Sequence, residues 1–526
     1  MVRRFIRENH RGFLRLIFGG RFAFSHNVNF QELNRYNNPI LQEFSTIGAK
    51  PEKFSCKGSS QSILLGNLGR SLKEHQVVEA WETYKDFKRL YGFPDQFLVV
   101  NLITQLSYSS DSKCLRRAYD LVLSVSKEKS VLLSPDVMTK LVLSLARAQI
   151  PVLAANVLRL MLEKRSLPSV DVLRMVFLHL VKTETGTYLA SNILDETCDC
   201  FLKLNVKNKS GQNELTKPDV MIFNLVLDAC VRFGTSLKGQ QIMELMTRVG
   251  VIADAHTVMI IARIHEMNGM RDELKKFKDH VDMVSATLIR HYQQFYDCLL
   301  SLHFKFNDLD GASALLLDLY RSLESTIQRD PREQQKSCTV SIGSENIKMG
   351  SRLQFLPKKL QRDSVYKTDS KNELLLYKNG KLVLSNKGMA KLIIGFKKSG
   401  RINKLSKLLI TIQNMLILSE NSSSCSDVID ACIYLGWLET AHDILEDLES
   451  EKYCIREGSY VSLLNAYHNK KMLRETEGLL RQIKRAGLAI NLSDEKSFRS
   501  FEDRRALDLA NSIIQNMREE DKEVPF

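Results

Sequence analysis

The chain has 526 residues, of which 44% are hydrophobic, and it contains only 10 prolines and 25 glycines. This composition supplies ample core material, excludes an all-β protein with many tight turns, and is typical of a mostly helical chain. The formal net charge is +14, but residues 1–30 carry +5 and residues 331–385 carry +6, so the other 441 residues carry only +3. A broad basic surface is therefore not predicted outside these two segments.

The first 30 residues contain six arginines and a single acidic residue, Glu8, among phenylalanine, leucine and isoleucine. This pattern is typical of an organelle transit peptide, and Arg11 and Arg15 interrupt the apolar run that a secretory signal needs. The alternative is an exposed basic tail. Because arginine is abundant and serine is scarce, we expect a mitochondrial protein, with the chloroplast as the alternative. Residues 31–60 are predicted to be a linker.

The ten cysteines are scattered and form no CxxC pair. Buried free thiols in a reducing compartment are therefore expected, with no metal site. The most apolar stretch, 405–418, is interrupted by Lys407, Gln413 and Asn414. It is too polar for a transmembrane helix, so we predict no membrane insertion.

A repeat of about 35 residues runs along the chain from residue 61 to residue 491. Gly234 and Gly269 lie 35 residues apart, and Gly400 and Gly436 occupy the same offset in their own units. Apolar residues at helical spacing on both sides of each glycine predict helix-turn-helix hairpins. Ten units are predicted, several of them stretched or degenerate: 61–95, 96–135, 136–170, 171–219, 220–254, 255–292, 293–330, 386–421, 422–456 and 457–491.

These units resemble the pentatricopeptide repeat (PPR). The likeness is carried by IFNLVLDACVRFG (222–234), LETAHDILEDL (438–448), GFPD (92–95) and KPD (217–219). It covers nearly all of 61–491 and is strongest for the plain P-class of plant organellar proteins. It implies an all-α solenoid, a right-handed superhelix of about ten repeats whose concave face is lined by the first helix of each unit. We expect one PPR block at 61–330, a second at 386–491, and a C-terminal capping helix and tail at 492–526.

The resemblance also implies how such a solenoid reads RNA. In this family the fifth and last residues of a unit address one base, and second-position residues stack on the ring. Asn224 with Asp254 would favour uracil, and Met221 and His256 would stack on either side. Ser426 with Arg456 is an imperfect second pair. The other fifth positions are Leu65, Val100, Lys140, Met175, Met259, Asp297, Ala390 and Val461.

Three basic residues near the ends of first helices are candidates for phosphate contacts: Arg232, Lys397 and Lys398. The alternative for each, an ordinary solvated side chain, is the commoner role of such a residue. The apolar fifth positions are compatible with packing residues rather than base-reading residues. Base readout is therefore predicted mainly for the unit at 220–254.

Two functions remain open from the sequence. The first is an organellar RNA-binding adaptor that holds single-stranded RNA in its groove for transcript processing, stability, splicing or translation. The second is a protein-interaction scaffold, associated for example with a ribonucleoprotein or ribosome, with RNA-processing or ribosomal proteins as partners. The sequence holds no phosphate-binding loop, zinc-deaminase signature or carboxylate cluster. Neither an enzyme nor a cofactor is expected.

The segment 331–385 interrupts the repeats with a polar, basic and non-helical stretch. Asn379-Gly380 between apolar runs predicts a β-hairpin at about 373–384, because both turn residues need a positive φ. The rest of the insertion is either a basic arm that touches RNA or ribosome, or a loop that caps one helical block. The basic residues concerned are Lys358, Lys359, Arg362, Lys367 and Lys371.

Overall fold

A computed structural model describes residues 61–109, 111–128, 133–207, 217–288, 292–321, 338–342, 351–355, 373–378, 381–416, 424–453, 455–485, 487 and 501–523. Within these residues the fold is all-α, as predicted, with twenty-one helices and five short strands. The expected transit peptide at 1–30 and linker at 31–60 lie outside the described residues. Contacts divide the chain into two compact bodies, and the chain passes from the first to the second between Leu189 and Ala190. This division differs from the expected pair of blocks separated at 331–385.

The first body holds the hairpins of units one to three and the first helix of unit four. Apolar residues at helical spacing are buried in each, as with Leu102, Ile103 and Leu106 in unit two. Each first helix packs against the next first helix along the chain. The helices are α1 (Gln61–Lys73), α2 (Val77–Tyr91), α3 (Gln96–Tyr108), α4 (Ser112–Glu128), α5 (Pro135–Arg147), α6 (Pro151–Glu163) and α7 (Val170–Leu180).

The chain passes into the second body within α8 (Glu184–Lys207). Phe223, Val226, Leu227 and Cys230, which the repeat pattern assigns to the packed side, are fully buried. Units five to seven comprise α9 (Val220–Arg232), α10 (Ser236–Val249), α11 (Ala255–Met267), α12 (Arg271–Leu288), α13 (Gln293–Lys305) and α14 (Leu309–Arg321). Units eight to ten comprise α15 (Asn386–Lys398), α16 (Ile402–Leu416), α17 (Ser424–Tyr434), α18 (Leu438–Ser450), α19 (Glu457–Asn469) and α20 (Leu473–Arg485).

The turn inside eight of the ten hairpins holds a residue in the left-handed conformation. Glycine supplies it in units five, six, eight and nine, at Gly234, Gly269, Gly400 and Gly436, with φ between 65° and 76°. Glycine adopts this conformation without a steric cost, which explains the spacing seen in the sequence. Units one, three, seven and ten use a non-glycine residue instead, with φ between 52° and 58°: His75, Gln149, Asn307 and Lys471.

The insertion contributes two small sheets rather than one hairpin. Strands β4 (Leu375–Lys378) and β5 (Lys381–Leu384) pair antiparallel where the hairpin is predicted, and the turn residues Asn379 and Gly380 lie outside the described residues. Strands β2 (Cys338–Ile342) and β3 (Ser351–Phe355) form a second pair that the sequence did not indicate. Strand β3 also runs parallel to β1 (Ile252–Ala253), the short segment between α10 and α11.

This three-stranded sheet packs on second helices of the repeats, with β3 against α10 and β2 against α12. Its apolar side chains Val340 and Leu353 are buried there. The β4–β5 hairpin packs against α13, α14 and α15. The basic residues considered for an RNA-binding arm, from Lys358 to Lys371, lie outside the described residues.

The last helix, α21 (Phe501–Glu523), differs from the expected cap. A cap would pack on the end of the repeat array, at α20. Instead, the principal partners of α21 are α15 and α17, the first helices of units eight and nine. Ala506, Leu509, Ala510 and Ile513 form its buried stripe at helical spacing. Among the described residues, no helix is long and apolar enough to cross a membrane.

Candidate nucleic-acid interface

The fifth and last residues of unit five meet in the structure, although 30 residues separate them. Asn224 lies in the second turn of α9, and its Nδ2 donates to Oδ1 of Asp254 over 3.1 Å. The hydroxyl of Thr257 lies 2.8 Å from Oδ1 of Asn224 and 2.8 Å from Oδ1 of Asp254. Asn224 is 5% exposed, so only a small part of the residue is accessible to a ligand. The three side chains form one hydrogen-bonded cluster between consecutive first helices.

The start of α11 holds Asp254 in place. Asp254 is the N-cap residue, and its Oδ1 accepts from the backbone N–H of Thr257 over 2.9 Å. The Asp254 N–H donates in return to the Thr257 hydroxyl over 3.2 Å, which completes a capping box. The preceding residues Ile252 and Ala253 pair with β3. The carboxylate is therefore fixed by a helix start on one side and by a sheet on the other.

Hydrogen-bonding chemistry determines how this cluster is oriented. An ionised carboxylate only accepts, so the amide nitrogen of Asn224 must face Asp254 and its carbonyl must face Thr257. The hydroxyl of Thr257 has one proton for two acceptors. When that proton goes to Asp254, the carbonyl of Asn224 can accept from a ligand. Thr257 was not identified from the sequence, although an Asp three residues before a Thr at a helix start is a recognisable capping signal.

The two stacking candidates lie beside this pair in sequence. Met221 precedes Asn224 by one helical turn, and His256 immediately precedes Thr257. Both are half-buried, so each keeps part of its surface accessible. Burial lowers the pKa of His256 below its ordinary value of 6.5. The imidazole is therefore neutral at physiological pH, which suits stacking on a base rather than binding of a phosphate.

The second pair, Ser426 and Arg456, is also brought together, but both residues have other partners. The backbone N–H of Arg456 donates to Oγ of Ser426 over 3.4 Å. The guanidinium of Arg456 forms a 2.7 Å ion pair with Asp427. Ser426 is completely buried in α17. Ser426 and Arg456 are therefore less available to a ligand than Asn224 and Asp254.

The phosphate-contact candidates are already engaged within the protein. Arg232 forms a 3.3 Å ion pair with Asp228, one helical turn earlier. Nζ of Lys397 lies 3.8 Å from the ring centroid of Trp437, and burial lowers the pKa of this ammonium. Lys398 is exposed at the end of α15. A phosphate would have to compete with these contacts at Arg232 and Lys397.

Asp297, at the fifth position of unit seven, has a role that the sequence did not indicate. Its Oδ1 accepts from the backbone N–H groups of Leu374 and Leu375, over 2.6 Å and 2.8 Å. Burial raises the pKa of this carboxyl to about 7, against the opposing effect of the two hydrogen bonds. The side chain is therefore an anchor for β4. No group of metal-ligating side chains occurs among the described residues.

The other fifth positions vary in exposure. Met259 and Ala390 are buried. Leu65, Val100, Met175 and Val461 are half-buried, and Lys140 is exposed. Asn224 is the fifth-position side chain that combines an amide with a carboxylate partner at the last position. Unit five is therefore the candidate base-reading unit of the described chain.

Comparison with known families supports the repeat assignment at both ends. A family model described as "PPR repeat" matches residues 458–488, which lie within unit ten. A second model, described as "At1g68980, TPR repeats", matches residues 55–208. The match at 458–488 confirms the predicted position of unit ten.

Three proteins of Arabidopsis thaliana are similar over most of this chain. The pentatricopeptide repeat-containing protein At4g17616 is 46% identical over 88% of the chain and 67% of its own length. The mitochondrial protein At1g03100 of the same description is 30% identical over 77% of the chain and 56% of its own length. At1g69290 is 22% identical over 87% of the chain and 64% of its own length. The chain thus spans between about half and two thirds of these relatives.

Among solved structures, maize pentatricopeptide repeat protein PPR10 is 12% identical over 87% of this chain and 67% of its own, with a TM-score of 0.21. PPR10 in complex with an 18-nt psaJ RNA element is also 12% identical, over 88% of this chain and 64% of its own, with a TM-score of 0.22. The 46% identity to At4g17616 is the finding that decides the family. The chain belongs to the pentatricopeptide repeat proteins.

Proposed function

We propose that this protein is an organellar RNA-binding adaptor that holds single-stranded RNA against the first helices of its repeats. The observation that carries the proposal is the contact between Asn224 and Asp254, the fifth and last residues of unit five. Membership of the PPR family gives this pair its expected role in addressing one base. The adaptor acts by binding an RNA strand, and the bound protein blocks nucleases or competing RNA structure. It performs no catalysis.

The chemistry of the pair suits uracil. The base edge of uracil presents an N–H donor beside a carbonyl acceptor, and an amide presents the complementary acceptor and donor. Nδ2 of Asn224 has a second proton besides the one directed at Asp254. Its carbonyl is available when Thr257 donates to Asp254. Met221 and His256 would hold the two faces of the ring.

We infer a mitochondrial location, with the chloroplast as the alternative. The arginine-rich first 30 residues support import into an organelle. Two of the related proteins, At1g03100 and At1g68980, are described as mitochondrial, and a third, At3g09650, as chloroplastic. Two of these three descriptions agree with the mitochondrial location that the arginine content predicts.

The proposal is tested by crosslinking RNA to the protein in organelle extract, immunoprecipitating the protein and sequencing the bound RNA. One or a few enriched footprints are expected. Asn224→Ala should weaken them on the order of tenfold, because one well-read base contributes about 1–3 kcal/mol. Asn403→Ala is the matched control, since Asn403 is an exposed asparagine on the second helix α16.

If no RNA is enriched above a mock precipitation, while a stable set of proteins co-purifies, the chain is a protein-interaction scaffold. If Asn224→Ala and Asn403→Ala have equal effects, unit five does not read a base.

A further inference from the structure

The first helices of units eight and nine are in contact with an element that is not part of the repeats. In units five to seven, each first helix packs directly on the next, α9 on α11 and α11 on α13. In units eight and nine, the principal partner of both α15 and α17 is α21. The last helix therefore takes the place that a neighbouring first helix occupies elsewhere. We call the surface formed by α9, α11, α13, α15 and α17 the first-helix face.

The contact of α21 with this face is a packed one. Ala510 and Ile513 are completely buried, and Leu509 is 4% exposed. Asn516, one turn further along, is 3% exposed. A stripe of this kind, sustained over several turns, is how an amphipathic helix fills a groove between two other helices. The helix is thus an occupant of the first-helix face.

Charge complementarity accompanies the apolar contact. Helix α15 carries Lys387, Lys391, Lys397 and Lys398 and no acidic residue, whereas α21 carries seven acidic and four basic residues. Glu519 lies 3.5 Å from Nζ of Lys387. A hydrogen bond from Gln515, followed by the charges of Lys387 and Lys391, lowers the pKa of Glu519. Lysines of a kind that attract phosphate therefore face a carboxylate of the same chain.

In unit seven, the insertion contacts the first helix, α13. The carboxylate of Asp297 on α13 is bound by the backbone of β4, at Leu374 and Leu375. The side chain of Gln293, on the same helix, donates to the carbonyl of Leu375 over 2.8 Å. The fifth position of this unit is thereby used to anchor the insertion.

We propose that α21 excludes RNA from the first-helix face of units eight and nine, so that RNA bound to the second body lies on units five and six. This rests on the proposed function of RNA binding. Displacement of α21 frees Lys387 of α15 from Glu519 and adds binding surface for RNA. The C-terminal helix then competes with a nucleic acid strand for the first-helix face of units eight and nine.

The experiment uses the full-length chain and a random-sequence pool of single-stranded RNA. Ultraviolet crosslinking followed by mass spectrometry identifies the peptides that touch RNA. In the wild type, crosslinks are expected within 220–267 and not within 386–434. In Ile513→Asp, a buried charge detaches α21, and crosslinks within 386–434 should appear. Affinity should rise roughly tenfold, because each newly stacked base contributes about 1–3 kcal/mol.

Asn511→Asp is the matched control, because it adds the same charge to the exposed side of α21. It should reproduce the wild-type crosslinks and affinity. Hydrogen exchange of the two variants checks that 501–523 becomes unprotected in Ile513→Asp while 386–434 stays protected.

Three outcomes separate the possibilities. Wild-type crosslinks within 386–434 overturn the exclusion by α21 and leave RNA binding intact, and this holds even if Ile513→Asp does not fold. Detachment of α21 without new crosslinks or tighter binding also overturns it. The absence of crosslinks anywhere, in wild type and variants alike, overturns the proposed function itself.

Discussion

Units five and six and units eight and nine are built from the same hairpin but present different surfaces. On the first pair, Asn224, Asp254 and Thr257 form a hydrogen-bonded cluster flanked by the half-buried Met221 and His256. On the second pair, α21 packs along α15 and α17, and the fifth-position residues Ala390 and Ser426 are completely buried. The repeat therefore determines which helices form the first-helix face. What remains accessible there depends on the other segments that reach it.

Unit seven marks the boundary between the two regions, and its anchor should give the largest effect. Asp297→Ala leaves the N–H groups of Leu374 and Leu375 without their acceptor. We expect a loss of about 2–5 kcal/mol in the local stability of the β4–β5 hairpin. Hydrogen exchange of residues 373–385 measures it.

Asp297→Asn is the control for this anchor, because both N–H groups donate to the single oxygen Oδ1, whose place the amide carbonyl can take. Its cost should be clearly smaller. Equal exchange rates in the wild type and in Asp297→Ala would show that the two hydrogen bonds to Asp297 do not stabilise the hairpin.

The core of unit six should respond to acid. His265 on α11 is 1% exposed, and burial, assisted by Lys276, lowers its pKa to about 4. Between that value and 6.5, the unfolded chain binds a proton that the folded chain does not, so stability is present above pH 6.5 and is lost as the pH falls toward 4. The loss between pH 7 and pH 5 should be about 2 kcal/mol from this residue.

Thermal melts of wild type and His265→Met between pH 7 and pH 5 measure this contribution. Burial also lowers the pKa of His256 and His303, so the variant should retain a shallower pH dependence. Parallel pH profiles for the two proteins would mean that His265 has the same pKa in the folded and unfolded states.

The hydrogen-bonded cluster of Asn224, Asp254 and Thr257 should also contribute to the stability of unit five. Asp254→Ala removes the cap of α11 and the partner of Asn224, and we expect a cost of about 2 kcal/mol. Asp219→Ala is the control, because Asp219 caps the neighbouring first helix α9 through the N–H of Ile222. It should cost about 1 kcal/mol.

Urea denaturation of both variants provides the comparison. A double-mutant cycle with Asn224→Ala then isolates the contact between Asn224 and Asp254. A coupling energy of zero would show that the two side chains act independently.

The smallest effect is expected where α21 meets α15. The ion pair between Glu519 and Lys387 is partly exposed, so Glu519→Gln should cost less than about 1 kcal/mol. Glu477→Gln, which removes a similar exposed pair with Arg481 on α20, is the control. If Glu519→Gln detaches α21 in hydrogen exchange, charge rather than apolar packing holds the helix.

The sequence by itself determined the local and nearest-neighbour structure of this protein. The spacing of Gly234 and Gly269 identified turns that need positive φ, and the apolar periodicity identified Phe223 and Leu227 as buried. The pairing of Asn224 with Asp254 followed from their places in one unit. All of these depend on contacts within a hairpin or between adjacent hairpins, which recur at every repeat.

The tertiary structure alone decided the long-range contacts. The hydrogen bonds from Leu374 and Leu375 reach Asp297 across 77 and 78 residues, and β3 pairs with Ile252–Ala253 across 102 residues, from Ile252 to Gln354. The apolar stripe of α21 showed that the helix must be covered, but not by which surface. A periodic pattern records which side of an element is apolar, whereas the choice of partner depends on which complementary surfaces remain uncovered once the repeats have stacked.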